Sequence, residues 1–399
     1  MTGLVALDPL LRGDMTWSVL IVVVIKVVVA FAILLVAVML YIWAMRKVIA
    51  DMQNRIGPNR AGPYGVLQTL ADGIKLFFKE QSIPDSADRP VFRLAPYLSI
   101  LPAFLMFCVV PIGGTVSILG HRTYLQVVDL PMGALFILAM SGVGVYGVML
   151  AGWSSGSKYP LLGSVRASAQ LLSYEAAFGL AILGVLVEAG TLSTHDIAAQ
   201  QHWTNAWSFA THWFWLRTFV AFVIFLIAAT AETNHPPFDL VEAEQELVGG
   251  FNTEYTGIRF AIFFLAEFMN VITMSAIAVT LFLGGPSGPS IGALGGVVNA
   301  WFLPMLWFLL KVLALLFATV WVRASLPRIR YDRLMSFGWK WLIELAILWV
   351  LVLVTVRVAE AEDWNRALAA VIAVAVAAAA YGVLFAAMPK PGEQLEEIR

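Results

Sequence analysis

Residues 17–45 read WSVLIVVVIKVVVAFAILLVAVMLYIWAM, an apolar run in which Lys26 is the only charged residue. As a helix this run would be about 43 Å long, against roughly 30 Å for the hydrocarbon core of a bilayer. We therefore expect a membrane-spanning helix that tilts strongly or protrudes at its inner end.

Runs of the same kind recur along the whole chain. With 60% hydrophobic and 13% charged residues, the composition excludes an ordinary soluble domain, which typically carries about 25% charge. Apolar runs of about 20 residues predict nine spans. They lie at 17–45, 95–119, 131–152, 167–189, 213–231, 258–284, 301–322, 337–358 and 366–388. Since no linker divides the chain, we predict an all-α polytopic membrane helix bundle that forms a single domain over residues 1–399.

The cysteine and histidine content argues against a redox or metal centre held by this chain. Cys108 is the only cysteine, so a disulfide or a cysteine-held zinc or iron–sulfur site cannot form within the chain. The five histidines are scattered, and the spacing of His195 and His202 matches no recognised metal motif. No metal site is predicted, and any redox centre must belong to a partner.

The distribution of Lys and Arg predicts the orientation in the membrane. The connections after the first and seventh spans are the basic ones and should be cytoplasmic. Their cations are Arg46, Lys47, Arg55, Arg60, Lys75, Lys79, Arg89 and Arg93, and Arg323, Arg328, Arg330, Arg333 and Lys340. Alternation then places the N-terminus outside, together with the connections at 120–130, 190–212 and 285–300. It places residues 231–255 inside.

Residues 64–80 predict an amphipathic helix that lies at the membrane interface. One helical face would carry Val66, Leu67, Leu70, Ile74, Phe77 and Phe78, and the other Gln68, Asp72, Lys75 and Lys79. The preceding residues 55–63, RIGPNRAGP, contain two Gly-Pro steps that favour a fixed turn. Two interpretations stay open: the helix lies on lipid, or it forms one wall of a lateral opening.

Residues 231–255, AETNHPPFDLVEAEQELVGGFNTEY, hold six carboxylates and no Lys or Arg. The carboxylates are Glu232, Asp239, Glu242, Glu244, Glu246 and Glu254. Like charges this close favour protonation of some members near neutral pH, which suits the handling of protons or cations. The simpler interpretation, a solvated acidic loop, is weakened by flanking apolar residues. The basic residues 321–333 are either a positive-inside anchor or a partner that neutralises this loop or holds a polar headgroup.

Two further carboxylates fall inside predicted spans, Glu175 in the fourth and Glu267 in the sixth. An ionisable group within a span is a candidate functional residue. The alternative is a buried carboxylate that pairs with a cation for helix packing. Lys26 and Lys311 are the available intramembrane cations.

Eight segments together resemble a known family. In order they are 52–63 (MQNRIGPNRAGP), 67–75 (LQTLADGIK), 173–175 (SYE), 231–234 (AETN), 237–240 (PFDL), 246–248 (ELV), 250–255 (GFNTEY) and 323–327 (RASLP). The chain resembles the H-subunit family of proton-pumping NADH:quinone oxidoreductase, respiratory complex I, which includes mitochondrial NADH dehydrogenase subunit 1. The resemblance covers about residues 17–358, an eight-helix family core, and leaves the ninth predicted span outside it.

The resemblance implies a membrane subunit that forms much of the quinone cavity and couples quinone reduction to proton translocation. Such a subunit binds no cofactor of its own: quinone is the substrate, and partner subunits with FMN and iron–sulfur clusters deliver electrons from NADH. Expected partners are the peripheral-arm quinone-site and iron–sulfur subunits, the small membrane subunits that lead to the antiporter-like subunits, and the lipid membrane, without nucleic acid. The expected location is a bacterial cytoplasmic membrane.

The resemblance also assigns site residues, none with a redox role of its own. For the wall and entrance of the quinone cavity it implies Arg46, Gln53, Arg55, Gly57, Pro58 and Asp72, and for its inner part Phe238, Asp239, Arg323 and Arg328. For the proton path it implies Glu175, Glu232, Asp239, Glu242, Glu244, Glu246, Glu254 and Glu267. Two positions depart from the family: Met45 stands where Glu is common, and His235 where Arg is common. Histidine can titrate near neutral pH, whereas arginine cannot.

Three alternatives remain at this point. The chain could be the equivalent membrane subunit of a hydrogenase-type complex, which a co-purifying nickel–iron subunit would reveal. It could be a stand-alone cation or proton transporter, which transport by the purified chain in liposomes would reveal. A purely scaffolding role would require that the carboxylates tolerate neutral replacement.

Overall fold

The computed structural model describes residues 8, 16–205, 207–239, 248–290 and 298–387. In chain order its helices are α1 (Trp17–Met52), α2 (Gln68–Phe78), α3 (Arg89–Cys108), α4 (Gly133–Ser154), α5 (Lys158–Ala189), α6 (Thr194–Gln200), α7 (Ser208–Thr211), α8 (Phe214–Arg217), α9 (Phe219–Glu232), α10 (Ile258–Phe282), α11 (Leu303–Ser325), α12 (Tyr331–Phe337), α13 (Ile343–Ala361) and α14 (Arg366–Ala387). Two short strands, β1 (Thr115–Ile118) and β2 (His121–Tyr124), form an antiparallel hairpin. The predicted all-α polytopic bundle is confirmed.

Within the described ranges, seven helical stretches are long and apolar enough to cross a membrane. They are α1, α3, α4, α5, α10, α11 and the stretch Tyr331–Ala361 that joins α12 to α13. The fifth and ninth predicted spans also form helices, of which the fifth is shorter than predicted. α9 has 14 residues, about 21 Å of helix, because the chain leaves helical geometry at Thr218 between α8 and α9. α14 has 22 residues and agrees closely with the predicted ninth span, 366–388.

The second predicted span was wrong at its end. Its helix stops at Cys108, and the following residues run into the β1–β2 hairpin instead of continuing to residue 119. Pro111 lacks a backbone N–H and cannot extend a helix. At the tip of the hairpin, Leu119 and Gly120 both have positive φ angles, 50° and 82°, which a two-residue hairpin turn of this kind requires.

The fourth predicted span was wrong at its start. α5 begins at Lys158 rather than at residue 167 and has 32 residues, about 48 Å of helix. The polar residues before the apolar run are therefore helical too, with Pro160 in the first turn, where a missing N–H is tolerated. Arg166, one residue before the predicted start of the span, lies in the third turn of α5.

The amphipathic helix predicted over residues 64–80 is shorter as well. A 3₁₀ turn at Pro63–Gly65 precedes α2, and Tyr64 in that turn has a φ of 53°. Gly65 is required there: its φ is 77°, and a Cβ would lie 2.4 Å from the Pro58 carbonyl. α1 runs on to Met52 with 36 residues, about 54 Å of helix, which is longer than a hydrocarbon core.

α10 forms the centre of the bundle and packs against α1, α3, α9 and α11. All of its residues from Val271 to Phe282 are buried. α3 and α4 approach closely because Gly147 faces Ser99, where a Cβ would lie 2.2 Å from the hydroxyl oxygen. Small residues at helix contacts of this kind are typical of membrane bundles.

The connections gather at the two ends of α10. At the end near Phe282, Gln126 donates to Thr194 at 3.1 Å, and Gln201 donates to the Thr280 carbonyl at 3.1 Å. Connections that were predicted to lie on the outer side of the membrane thus contact one another or the end of α10. At the opposite end, the residues that follow α2 and α9 meet the start of α10 and the segment after α11.

Candidate functional site

The loop that follows α9, residues 233–239, is held by a buried side chain of α5. The Gln170 amide donates hydrogen bonds to the carbonyls of Ala231 and Phe238, each at 2.9 Å. The Phe238 ring is buried beside Tyr174, with ring centroids 5.6 Å apart. Because a buried carbonyl without a donor is costly, these contacts fix where the loop starts and where it ends.

The end of this loop meets the basic segment that follows α11. The backbone N–H of Ile329 donates to the Pro237 carbonyl at 3.0 Å. Arg328 donates to the Asp239 carboxylate at 2.8 Å. The Asp239 side chain is 7% exposed and the Arg328 side chain 37%, so a buried carboxylate is neutralised by a cation that still reaches the surface. The structure brings these two predicted cavity residues together.

The other predicted arginine, Arg323, lies in the last turn of α11. It is half-buried, and its charge acts on the phenol of Tyr41 in α1. The Tyr41 hydroxyl is hydrogen-bonded to Thr319 at 3.1 Å. Arg323 is therefore a residue of the contact between α1 and α11.

The predicted entrance residues lie together where α1 ends. Arg46 donates to the Asp72 carboxylate of α2 at 2.7 Å, and Gln68 donates to the same carboxylate at 3.0 Å. In the turn that follows α1, Arg55 donates to the Gln53 side chain at 2.7 Å. These contacts attach the polar side of α2 to the end of α1.

The turn through Gly57 and Pro58 folds back onto α1. Lys47 donates to the Pro58 carbonyl at 3.2 Å. A Cβ at Gly57 would lie 3.2 Å from side-chain atoms of both Ala50 and Lys47, so a larger residue would push the turn away from the helix. Gly57 and Pro58 thus lie at the end of α1, close to the other residues predicted for the entrance.

Asp72 is ionised at neutral pH in this arrangement. Desolvation by itself would raise the pKa of its carboxyl. Hydrogen bonds from Arg46 and Gln68, together with the charges of Arg46 and Lys75, outweigh that effect and hold the pKa below its ordinary value.

A polar cavity of about 60 Å³ lies among α3, α4, α9 and α10 and the 3₁₀ turn Gly250–Asn252. Its polar lining consists of Ser99, Ser141, Glu232, Thr233, Asn234, Asn252, Glu267 and Asn270. Since one water molecule needs about 10–15 Å³ of such space, the cavity has room for a small group of waters. Most of its wall comes from apolar helices, and its polar residues converge from separate parts of the chain.

Several oxygen atoms of this lining are buried and make no hydrogen bond within the described ranges of the chain. They are the hydroxyl of Ser99, one carboxylate oxygen of Glu232, and the amide oxygens of Asn234, Asn252 and Asn270. Buried polar atoms in proteins are normally satisfied by protein groups or by water. The lining therefore has the chemistry of a hydrated site.

Three predicted proton-path carboxylates lie in or beside this cavity. Glu232 and Glu267 line it, and Glu232 accepts a hydrogen bond from Ser141. Glu175 packs against Gly142, where a Cβ would lie 2.9 Å from its carboxylate oxygen. The charges of Glu175 and Glu232 are close enough to interact. The three carboxylates come from α5, α9 and α10, and the fold brings them to one region.

His235 connects the loop to the Glu267 side of the cavity. Its Nδ1 lies 2.9 Å from the Thr233 carbonyl and 3.3 Å from a carboxylate oxygen of Glu267. The imidazole is 4% exposed, and its ring meets the ring of Phe268 edge to face at 5.3 Å.

The remaining predicted carboxylates are distributed differently. Glu254 lies half-buried in the turn before α10. Glu242, Glu244 and Glu246 lie outside the described residues. In the part of the chain that the structure describes, no three His, Cys, Asp or Glu residues are grouped as metal ligands.

The two intramembrane lysines have partners elsewhere in the fold. Lys26 pairs with Asp8 at 2.7 Å and donates to Thr123 at 2.8 Å. Lys311 donates to three backbone carbonyls just after α10, at 2.6 to 3.0 Å, and lies 4.2 Å from the centre of the Trp213 ring. These contacts tie helices to connections, so both lysines serve packing.

Comparison with known proteins identifies the family. The model of the NADH dehydrogenase family matches residues 25–354. The H subunit of NADH-quinone oxidoreductase from Frankia casuarinae is 52% identical over 349 residues, 87% of this chain and 75% of that protein. The H subunit from Frankia alni is 52% identical over 348 residues, 86% of this chain and 74% of that protein, and that from Streptomyces avermitilis 49% over 334 residues, 83% and 72%. The chain belongs to the H-subunit family of NADH-quinone oxidoreductase.

Membership of the H-subunit family confirms the resemblance drawn from the sequence motifs. The family match ends at residue 354, close to the predicted end of the family core at 358. α14 lies beyond that match and packs mainly on α13.

The two departures from the H-subunit family have different surroundings. Met45 is 7% exposed and packs within the main apolar core, so hydrocarbon fills the position where the family commonly has a carboxylate. His235, in contrast, contacts Glu267 beside the polar cavity.

Sequence reasoning missed the neutral half of the cavity lining. Asn270 offered a usable signal, because an amide within the apolar α10 needs a polar partner. Ser99 and Ser141 gave no signal, since serine is common at helix contacts in membranes. Asn252 lies in a turn, where asparagine is ordinary.

Proposed function

We propose that this chain is the membrane subunit that forms much of the quinone cavity of NADH-quinone oxidoreductase and couples quinone reduction to proton translocation. One observation carries the proposal: a single loop joins two chemically distinct places. Glu232 and Asn234 at its start line the polar cavity, and Asp239 at its end pairs with Arg328. A change at one end of this loop has a short, hydrogen-bonded route to the other.

On the quinone side, the proposed inner part of the cavity consists of Phe238, Asp239, Arg323 and Arg328. A quinone presents an apolar ring and two carbonyl acceptors, which suit an aromatic side chain and a cationic donor. The partly exposed Arg328 and the buried Phe238 have these properties. Partner subunits would complete the cavity and deliver the electrons.

The entrance of the proposed cavity lies between α2 and the end of α1. The Arg46–Asp72 pair and the turn 53–65 hold α2 there, and most of its large apolar side chains are exposed. We assign this end of the bundle, with the basic segment 323–340, to the cytoplasmic side, because loop cations are retained there.

Coupling would begin with the chemistry of the quinone itself. Reduction to quinol takes up two electrons and two protons, which changes charge and hydrogen bonding beside Asp239 and Arg328. Gln170 holds both ends of the loop, so the loop moves as a unit when that ion pair changes. The protonation of Glu232 and Glu267 then changes with it, a coupling through electrostatics rather than redox chemistry in this chain.

Protons would leave the cavity by way of Glu175. This carboxylate lies on α5 and its charge interacts with that of Glu232, so protonation of one favours ionisation of the other. Glu242, Glu244, Glu246 and Glu254 are proposed to supply protons from the loop side. The small membrane subunits and the antiporter-like subunits would receive the proton signal.

The proposal predicts that E175Q and E267Q leave the complex assembled but uncouple or slow it. Glutamine keeps the size and the hydrogen-bonding oxygen of each side chain but cannot exchange a proton. We expect at least a tenfold loss of proton translocation, which corresponds to about 1.4 kcal/mol. The measurement is proton uptake by proteoliposomes during NADH-driven quinone reduction. E362Q, which removes an exposed carboxylate after α13, is the matched control.

Full pumping in both variants would refute the proton-path assignment. Loss of pumping in E362Q as well would mean that general assembly, rather than the cavity, is affected. A stand-alone transporter is the contrasting function, and it requires proton transport by the purified chain in liposomes without partners. We expect no transport there, in agreement with a subunit that acts within its complex.

A further inference from the structure

His235 stands in the loop between the proposed quinone side and the polar cavity, and its hydrogen bonds define its tautomer. A backbone carbonyl only accepts hydrogen bonds, so the Nδ1 that lies 2.9 Å from the Thr233 carbonyl carries a hydrogen. The other ring nitrogen, Nε2, is buried and makes no hydrogen bond within the described ranges. In the neutral Nδ1–H form the hydrogen of Nδ1 is therefore satisfied, and Nε2 is an acceptor without a donor among the described residues.

Protonation of His235 depends on one neighbour. An imidazolium in this buried position needs a negative partner, because an unpaired buried charge is strongly unfavourable. The Glu267 carboxylate, 3.3 Å from Nδ1, is that partner. With one exchangeable proton bound, the pair is either imidazolium with carboxylate or neutral imidazole with carboxylic acid. Without that proton it is neutral imidazole with carboxylate.

The groups that face this pair come from several helices. Glu267 itself belongs to α10, Glu232 at the end of α9 lines the same cavity, and Glu175 on α5 interacts with Glu232. At the far end of the loop Asp239 is paired with Arg328. On the apolar side the imidazole meets the ring of Phe268, which in turn packs on Tyr41 of α1. The pair thus has carboxylates on the cavity side and aromatic rings on the apolar side.

We infer that His235 and Glu267 act as one proton-holding pair, with His235 as the positioning residue that keeps a proton within reach of Glu267. This inference rests on the proposed function, since it assigns the pair to the same proton path. An arginine at residue 235 would keep Glu267 ionised without holding an exchangeable proton. Histidine adds a second site for the same proton, and two sites bind it more tightly than either alone.

The test is the pH profile of proton pumping by the intact complex, over the range in which histidine titrates, about pH 5 to 8. The variants are H235N, which keeps an amide donor towards Thr233 but holds no proton, and H235R, which places a permanent cation beside Glu267. We expect the pH at which pumping is half-maximal to be highest in the unaltered complex. It should be lower in H235N, and in H235R about one unit or more below that of the unaltered complex.

A second readout distinguishes a proton-holding role from a structural one. Infrared difference spectra should show a carboxylic acid band that E267Q removes, and H235R should diminish that band at a pH where the unaltered complex retains it. H195N is the matched control: His195 is a half-buried histidine that stacks on Tyr124 with ring centroids 3.7 Å apart, far along the bundle. Its pH profile should match that of the unaltered complex.

The inference is overturned if the profiles of H235N, H235R and the unaltered complex coincide, or if H235R leaves the carboxylic acid band intact. If E267Q also pumps normally, the proposed function fails with it. If E267Q abolishes pumping while the three profiles coincide, only the role of His235 fails. Should H235N not assemble, H235R decides alone.

Discussion

Gln170 is buried on α5, and both hydrogens of its amide nitrogen are committed to backbone carbonyls, those of Ala231 and Phe238. One side chain therefore fixes the spacing between the cavity end and the quinone end of the loop. A hydrocarbon of similar size would remove the side-chain donor of the Phe238 carbonyl, whereas the Ala231 carbonyl would keep the Asn234 N–H at 3.3 Å. A buried carbonyl left without a donor costs about 1–3 kcal/mol, and the effect should concentrate in the loop.

Q170L should therefore loosen the loop and weaken quinone use. We expect a lower thermal stability of the complex and a raised KM for quinone, because Phe238 and Asp239 lose their support. Thermal unfolding and steady-state quinone reduction measure the two effects. Q126L is the control: Gln126 is equally buried and donates to the Val109 carbonyl and to Thr194 at the other end of the bundle. Equal KM changes in both variants would show that Gln170 has no special role.

At the scale of elements, α2 is amphipathic as predicted, and its polar side chains attach it to α1. Its polar side chains Gln68 and Asp72 contact Arg46 of α1 or one another. Its apolar side chains are largely exposed as well: Phe77 is 64% and Phe78 80% exposed. Such a face is stable only against lipid or a partner. The sequence pattern predicted both faces, but it did not tell which one would meet the protein.

The pH dependence of α2 docking follows from Asp72. Its pKa in the folded chain lies below the ordinary value of 3.8. The stabilisation is therefore complete above that value and is lost as the pH falls through the lowered pKa. Both partners are more than a third exposed, so the pair contributes at most about 1 kcal/mol.

We expect the distance between spin labels on α1 and α2 to stay constant from about pH 5 to 8 and its distribution to broaden in stronger acid. D72N should show the broadened distribution already at neutral pH. K79Q, which removes an exposed cation beyond the end of α2, should behave like the unaltered chain. Identical narrow distributions in D72N and the unaltered chain would refute a role for the pair.

At the scale of the whole molecule, the helices could be predicted from apolar runs in the sequence, whereas the polar cavity could not. Lipid requires every backbone group within it to be paired, so a long apolar run such as 17–45 has almost no alternative to a helix. The β1–β2 hairpin was missed because Val116 and Ile118 extend an apolar run without revealing the turn at Gly120. The carboxylates were predictable as candidates, since a charge in a span is rare.

The place where the carboxylates come together was not predictable from the sequence. Ser99, Asn252 and Asn270 come from α3, a 3₁₀ turn and α10, and only the packing of these elements gathers them around Glu232 and Glu267. Ser99 and Asn252 are unremarkable in their own segments, and Asn270 indicates a polar partner without showing which one. Convergence of this kind depends on tertiary contacts, which a single sequence does not state.

The central claim is that the polar cavity carries the coupling between quinone and protons, and the variant N270L tests it most directly. Leucine is close in size to asparagine and leaves every carboxylate in place. It replaces a buried amide oxygen that has no hydrogen bond from the described residues with hydrocarbon that excludes water. The control is A278L, which fills a separate, mainly apolar groove among α9, α10 and α11.

The measurement is the number of protons translocated per quinone reduced by the intact complex in sealed proteoliposomes. We predict that N270L lowers this ratio severalfold while A278L leaves it unchanged, with both complexes fully assembled. A normal ratio in N270L, with hydrocarbon in place of the amide, would contradict the account.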